Sequence, residues 1–258
     1  MGEITGYIDV AQVVLYVFWV FFAGLIFYLR QEDRREGYPL FSEPSNTYKD
    51  TNLIFIPPPK VFRLADGSQV IAPTGKGDDR PMKAEKTEPW AGAPLQPVGD
   101  PMLAAVGPGS YAERSPVPDR MLDGSPRLKP LRAAPGFALE SRDPDPRGMT
   151  VIGADRVAAG VVTDVWVDRM EVIIRYLEVE LAGKAGAEKV RVLLPMNFAK
   201  IDTWNRNVKV HALMGRHFAA VPKLANPEQV SLLEEDKICA YYGAGTLYAE
   251  PKRAEAWI

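Results

Sequence analysis

Cysteine occurs once in this chain of 258 residues, at Cys239, and histidine only twice, at His211 and His217. A single cysteine excludes an internal disulfide and fits a reducing compartment. So few thiols and imidazoles cannot build the clusters that hold zinc, and no CxxC, HExxH or EF-hand spacing occurs. An excess of one charge is missing as well: 31 Lys and Arg face 33 Asp and Glu, for a formal net charge of −2. Without a basic surplus there is no electrostatic footprint for nucleic acid. The glycine turn VGPGS (106–110) lacks the GK[ST] of a phosphate loop. No internal repeat and no Ser/His/Asp or Cys/His arrangement stands out. The composition therefore reads as a structural or interaction protein rather than an enzyme.

Charge is also absent locally. From Val10 to Leu29 no residue is charged, and Gln12 is the only strongly polar one. Twenty residues at about 1.5 Å each make roughly 30 Å of helix, the thickness of a bilayer's hydrocarbon core. A cleaved signal would have a basic start and a small-x-small exit. Here Glu3 and Asp9 precede the run and RQEDRRE follows it. Tyr16, Phe18, Trp19, Phe21, Phe22 and Phe27 leave no polar face for water, which argues against a soluble core helix. The segment is expected to be a permanent anchor over 10–30. Arg30, Arg34 and Arg35 follow it and no Lys or Arg precedes it, so residues 1–9 are expected to be periplasmic and the remainder cytoplasmic. Tyr7 and Tyr28 occupy interfacial positions.

Nineteen of the 23 prolines lie between Pro39 and Pro146. Proline fixes φ and removes a donor, so long helices and central strands are not expected there. Residues 31–147 read as an extended segment with turns (IPPPK, LADGS, TGKGDD, VGDPM, VGPGS, DGSPR). Phe55, Phe62, Trp90, Leu103 and Tyr111 are spaced so that the segment lies along another surface, its own or a partner's.

Residues 148–258 change character. GVVTDVWVD, YLEVELAG, VRVLLPM, VKVHAL and SLLEED alternate apolar and polar residues with β-branched enrichment. Five or so such strands predict a small antiparallel barrel. Between the first two, DRMEVIIRY reads as a turn or helix start. Toward the end, PEQVSLLEEDKICAYYGAG carries Leu232, Leu233, Ile238 and Tyr241 at helical spacing, with Pro227 near its start and Gly243 as a stop.

Among ionisable residues, Asp168, Glu171 and Arg175 fall in one connector, with Glu171 and Arg175 at i, i+4. Such a group either holds a proton at a shifted pKa, if partly buried, or is a solvated connector with a weak surface pair. Glu234–Lys237 read as a solvated helix face and Asp123 as a turn residue. His211 reads as a packed strand residue, His217 as loop, and Cys239 as a small core residue.

The order of several stretches carries a resemblance. FWVFFAGLIFYL with REGYPL after it, GDPM and VGPGS, then DVWVD, RYLEVEL, LLPM and LLEEDKICAYYGAG with LYAEPKR resemble the H subunit of the purple-bacterial photosynthetic reaction centre over nearly the whole chain. The resemblance implies one membrane helix beside the L and M subunits and a cytoplasmic PRC-type barrel. It implies a subunit without redox cofactors of its own; bacteriochlorophyll, bacteriopheophytin, quinones and non-haem iron would sit on partner subunits, with membrane lipids and antenna around the complex. The middle segment would be ordered mainly by contact with L and M. Such a subunit caps the quinone region and supplies acids through which protons reach the secondary quinone. By position, Glu171 matches the acid nearest that quinone, Asp168 and Arg175 its neighbours, Asp123 an acid near the proton entrance, and Glu235 another acid of the cluster. Two histidines that follow the Asp123 position in the family pattern are absent from LDGSPRLKP. Met121 stands where the pattern has an acid, as does Gln229, with Glu228 beside it. Either the entrance lies elsewhere, or carboxylates take the imidazoles' task, for which a raised pKa at Asp123 would suit. A competing reading is a single-pass adaptor whose barrel binds another protein, unrelated to photosynthesis.

Overall fold

The computed structural model describes residues 3–5, 8–45, 47–49, 55–64, 67–75, 80–183 and 189–253. Tyr7, parts of the LADGS and TGKGDD turns, and the tail after Arg253 lie outside these. The chain forms two compact units, one of Met1–Asp79 with Trp90–Gly92 and one of Arg80–Pro89 with Ala93–Ile258.

In the first unit, β1 (Glu3–Thr5) pairs with β2 (Ile8–Asp9), and α1 follows as Val10–Glu32. Asp9 starts the helix by accepting from the Gln12 N–H at 2.8 Å, which satisfies one of the free donors of the first turn. No residue of α1 is buried. Phe18, Trp19 and Phe22 pack on one another along its surface. An apolar face of this extent left uncovered requires lipid or another protein. At the far end, Arg35 grips Glu32 through two bonds of 2.9 and 2.7 Å and donates to the carbonyls of Pro58 and Ala72. That arginine ties the helix exit to the proline-flanked hairpin of β5 (Lys60–Arg63) and β6 (Gln69–Ala72); a second hairpin pairs β3 (Leu40–Ser42) with β4 (Thr47–Lys49).

In the second unit, β7 (Ala84–Lys86) and β8 (Leu95–Pro97) form a further hairpin. The main sheet comprises β9 (Leu128–Pro130), β10 (Thr150–Ile152), β11 (Ala158–Asp168), β12 (Ile173–Leu181), β13 (Arg191–Pro195), β14 (Ala199–Asp202) and β15 (Asn207–Val210). Its order is β13-β12-β11-β10-β15-β14, with β9 on the end of β11. All pairs are antiparallel except β10 with β15. The alternation in the sequence therefore found β11, β12, β13 and β15, while β9, β10 and β14 escaped it. SLLEED, with its alternating pattern, is instead the start of helix α2 (Leu232–Tyr248). Its S-x-x-E is a capping box: the Glu234 N–H donates to Ser231 Oγ at 3.2 Å, and the Ser231 N–H to Glu234 Oε2 at 2.8 Å.

Gly243 does not stop that helix, which runs on to Tyr248. It allows close approach: a Cβ there would stand 2.4 Å from the Pro108 carbonyl oxygen, and one on Gly109 would stand 2.9 Å from Ala244 Cβ. The VGPGS turn is thus docked glycine to glycine on α2. Leu128 and Met102 enter the same core as Val151, Trp166, Leu177 and Tyr242, with Leu131 and Leu139 packed against it. The stretch after Arg80 therefore packs on its own β domain, so the compact unit starts well before residue 148. Trp166 and Val165 are both fully buried although adjacent in a strand, so β11 is covered on both faces there.

Candidate functional site

The connector between β11 and β12 is a tight turn, not a helix start. β12 begins at Ile173, which puts Arg175 on a strand and breaks the i, i+4 geometry expected for it with Glu171. Glu171 pairs with Arg127 instead. The Arg127 Nη2 lies 2.6 Å from Glu171 Oε1 and 2.7 Å from Asp168 Oδ2; Nε donates to Asp168 Oδ1 at 2.9 Å, and Nη1 to Asp119 Oδ2 at 3.2 Å. One guanidinium thus holds three carboxylates, a use of its planar fork that lysine could not copy. Asp168 is 1 % exposed and also accepts the N–H groups of Met170 and Glu171, each at 3.0 Å. Burial pushes its carboxyl up, but Arg127 and those two backbone donors outweigh it and hold the group below the usual carboxylate range.

The turn itself is strained and bare. Val172 has φ +56°, which a β-branched residue adopts at a cost of about 1–3 kcal/mol. Val172 is 71 % exposed and Met170 63 %. Arg169, next to them, donates to Ser125 Oγ at 2.8 Å and to the Pro126 carbonyl at 2.9 Å. That serine donates to Asp123 Oδ1, from its hydroxyl at 2.5 Å and from its N–H at 2.9 Å. Asp123 therefore joins the same surface as Asp119, Arg127, Asp168 and Glu171. Its hydroxyl and backbone bonds from Ser125 lower its pKa, the reverse of what a substitute for histidine needs, and this corrects the expectation of a raised value.

Glu235 behaves differently. It is half-buried on α2 and accepts from the Tyr176 hydroxyl at 2.9 Å. Burial raises its pKa, with Tyr176, Arg175 and Arg114 pulling the other way and Asp119 pushing up. Asp119 thus acts on both Arg127 and Glu235. Arg175, though off the Arg127 network, faces this second acid. Of the five candidates, Asp168, Glu171 and Asp123 are drawn onto one surface, and Glu235 and Arg175 form an adjoining pair.

Sequence reasoning missed Arg127, Asp119, Arg169 and Tyr176. It also missed a buried triad. Asp164 and Glu178 stand directly opposite on β11 and β12, where like charges repel. Arg132 Nη1 donates to both, at 3.0 and 2.9 Å, while Trp166 Nε1 and Thr163 Oγ1 donate to Glu178 at 3.2 and 3.0 Å. The triad borders a cavity of about 650 Å³ and ties the segment around Arg132 to the sheet. Two charged letters within apolar alternations, in TDVWV and YLEVEL, were its only signal. His211 is exposed just past β15 rather than packed in a strand. Among the described residues no group of three His, Cys, Asp or Glu side chains is placed to hold a metal ion.

An apolar helix long enough to cross a bilayer, followed by a mainly β domain, fits a single-span membrane protein. Residues 2–133 match the family model described as photosynthetic reaction centre, H-chain N-terminal region, and residues 139–215 match the PRC-barrel domain. The chain belongs to the photosynthetic reaction-centre H-chain family, and its β domain is of the PRC-barrel type. An adaptor unrelated to photosynthesis is thereby displaced.

Proposed function

We propose that this chain caps the cytoplasmic face of the L and M subunits in the bacterial inner, photosynthetic membrane, with its N-terminus periplasmic. It carries no catalysis and no cofactor of its own; bacteriochlorophyll, bacteriopheophytin, quinones and non-haem iron belong to the partners, and lipids with surrounding antenna contact α1. Its acids pass protons toward the secondary quinone, which takes up two protons while buried. Positioned carboxyl groups lower the barrier to such transfers. The observation that carries this reading is the Asp168–Val172 turn: a buried, arginine-held carboxylate under two exposed apolar side chains on a strained backbone. Strain and exposed apolar area together mark a surface that a partner covers. Glu171, half exposed at its rim, is the acid that would meet that partner.

The reading is tested on isolated reaction centres stripped of this chain and then reconstituted with it. Proton uptake on the second flash is expected to slow by roughly tenfold or more in stripped complexes and to recover when the chain is restored. Equal uptake with and without the chain would contradict it.

A further inference from the structure

Glu235 and Cys239 lie one turn apart on α2, and Tyr176 reaches both from β12. Its hydroxyl donates to Glu235 Oε2 at 2.9 Å and lies 4.0 Å from Cys239 Sγ. Tyr176 is 4 % exposed, so its ring has little freedom to turn the hydroxyl elsewhere. Beside it is a cavity of about 380 Å³ whose lining includes Arg175, Asn197 and Cys239 with Tyr176 itself. That volume holds several waters at about 30 Å³ each, and the lining offers them polar partners. Tyr176 therefore borders a cavity large enough for water and hydrogen-bonds a half-buried acid.

We propose that Tyr176 is a positioning residue for Glu235: its hydroxyl stabilises the ionised carboxylate, so that an acid drawn out of water gives up its proton more readily than it would without that hydrogen bond. The inference rests on the proton-conducting role given to Glu235 above. The charged and titratable groups acting on the carboxyl are Arg175 and Tyr176 from β12 and Arg114 and Asp119 from the 110–120 stretch, with Cys239 beside it on α2. Arg114 is itself engaged by Asp236 at 3.4 Å. The nearest uncharged donor to Glu235 is thus the one whose loss changes its proton affinity without removing a charge.

The experiment is an infrared pH titration of the protonated carboxyl band in intact reaction centres, with Glu235→Gln used to identify the band. Tyr176→Phe keeps the ring and its packing. It is expected to move the midpoint of that band upward by about one to two pH units, the worth of a hydrogen bond to a charged group. It is also expected to shift the pH profile of second-flash proton uptake in the same direction, and to have no further effect in the Glu235→Gln background. An unmoved midpoint overturns the proposal. The two readings fail separately. Wild-type uptake in Glu235→Gln removes this acid from the proton route, whereas the infrared midpoint alone decides what Tyr176 does to it.

Discussion

Replacing Arg127 with leucine is expected to destabilise the chain by about 3–5 kcal/mol, the cost of leaving a buried charge without its partner. The loss concentrates on Asp168, which is 1 % exposed and takes two of the guanidinium's bonds. Glu171 and Asp119 are about half exposed and contribute little by comparison. Three outcomes follow in urea unfolding of the detergent-solubilised full chain. Arg127→Leu loses the stated amount at neutral pH. Arg127→Lys falls between it and wild type, because a point charge cannot fork to three carboxylates. Asp168→Asn placed in the Arg127→Leu background regains most of the loss, since the uncompensated charge is gone. The pH dependence has a definite sign. Asp168 is depressed in the folded chain, so its contribution is complete above the ordinary aspartate range and fades as pH falls through the lowered value. The wild type should therefore converge on Arg127→Leu in acid. A loss below about 1 kcal/mol at neutral pH would mean that the pair is not held as a buried one.

The second large effect concerns α1. Val20 sits near the middle of the helix and is 75 % exposed. An arginine at the centre of a spanning helix costs about 2.5–3.5 kcal/mol on insertion scales, which is roughly a hundredfold in equilibrium. Val20→Arg is expected to deplete the chain from the membrane fraction and from assembled reaction centres, while Val20→Leu behaves as wild type. Fractionation with immunodetection reads both. Normal membrane recovery of Val20→Arg would show that α1 does not contact the hydrocarbon core.

What could be read in advance divides along physical lines. α1 was legible because one requirement, twenty apolar residues in sequence, is local and strong. The strands β11, β12, β13 and β15 were legible because burial of one or both faces imposes a period that survives in the letters. Gly243 was misread because glycine serves two ends: it stops helices, and it admits a neighbouring backbone, here the Pro108 carbonyl. Only the second is true in this chain, and nothing in the local string distinguishes them. SLLEED was ambiguous for a similar reason, since a capping box and a short alternation share the same letters. The acids themselves were recognised, yet their partners were not. Arg127 lies 41 positions from Asp168, and Tyr176 lies 59 from Glu235. Such pairs are made by strand register and helix docking, so a connector that suggests a local i, i+4 bridge gives no hint of them. The sign of the shift at Asp123 was likewise set by Ser125, two residues on, whose hydroxyl is free to turn toward it.

The most direct measurement is flash-induced proton uptake by reaction centres carrying Glu171→Gln together with Glu235→Gln, followed across pH beside each single variant. If the acids on this surface hand protons inward, the double variant should slow uptake after the second flash by about one to two orders of magnitude, each single variant less, with a small weak acid in the buffer restoring part of the rate. Uptake in the double variant at the wild-type rate over the whole pH range would contradict the account, and would leave the chain as a cap that carries no protons through these two groups.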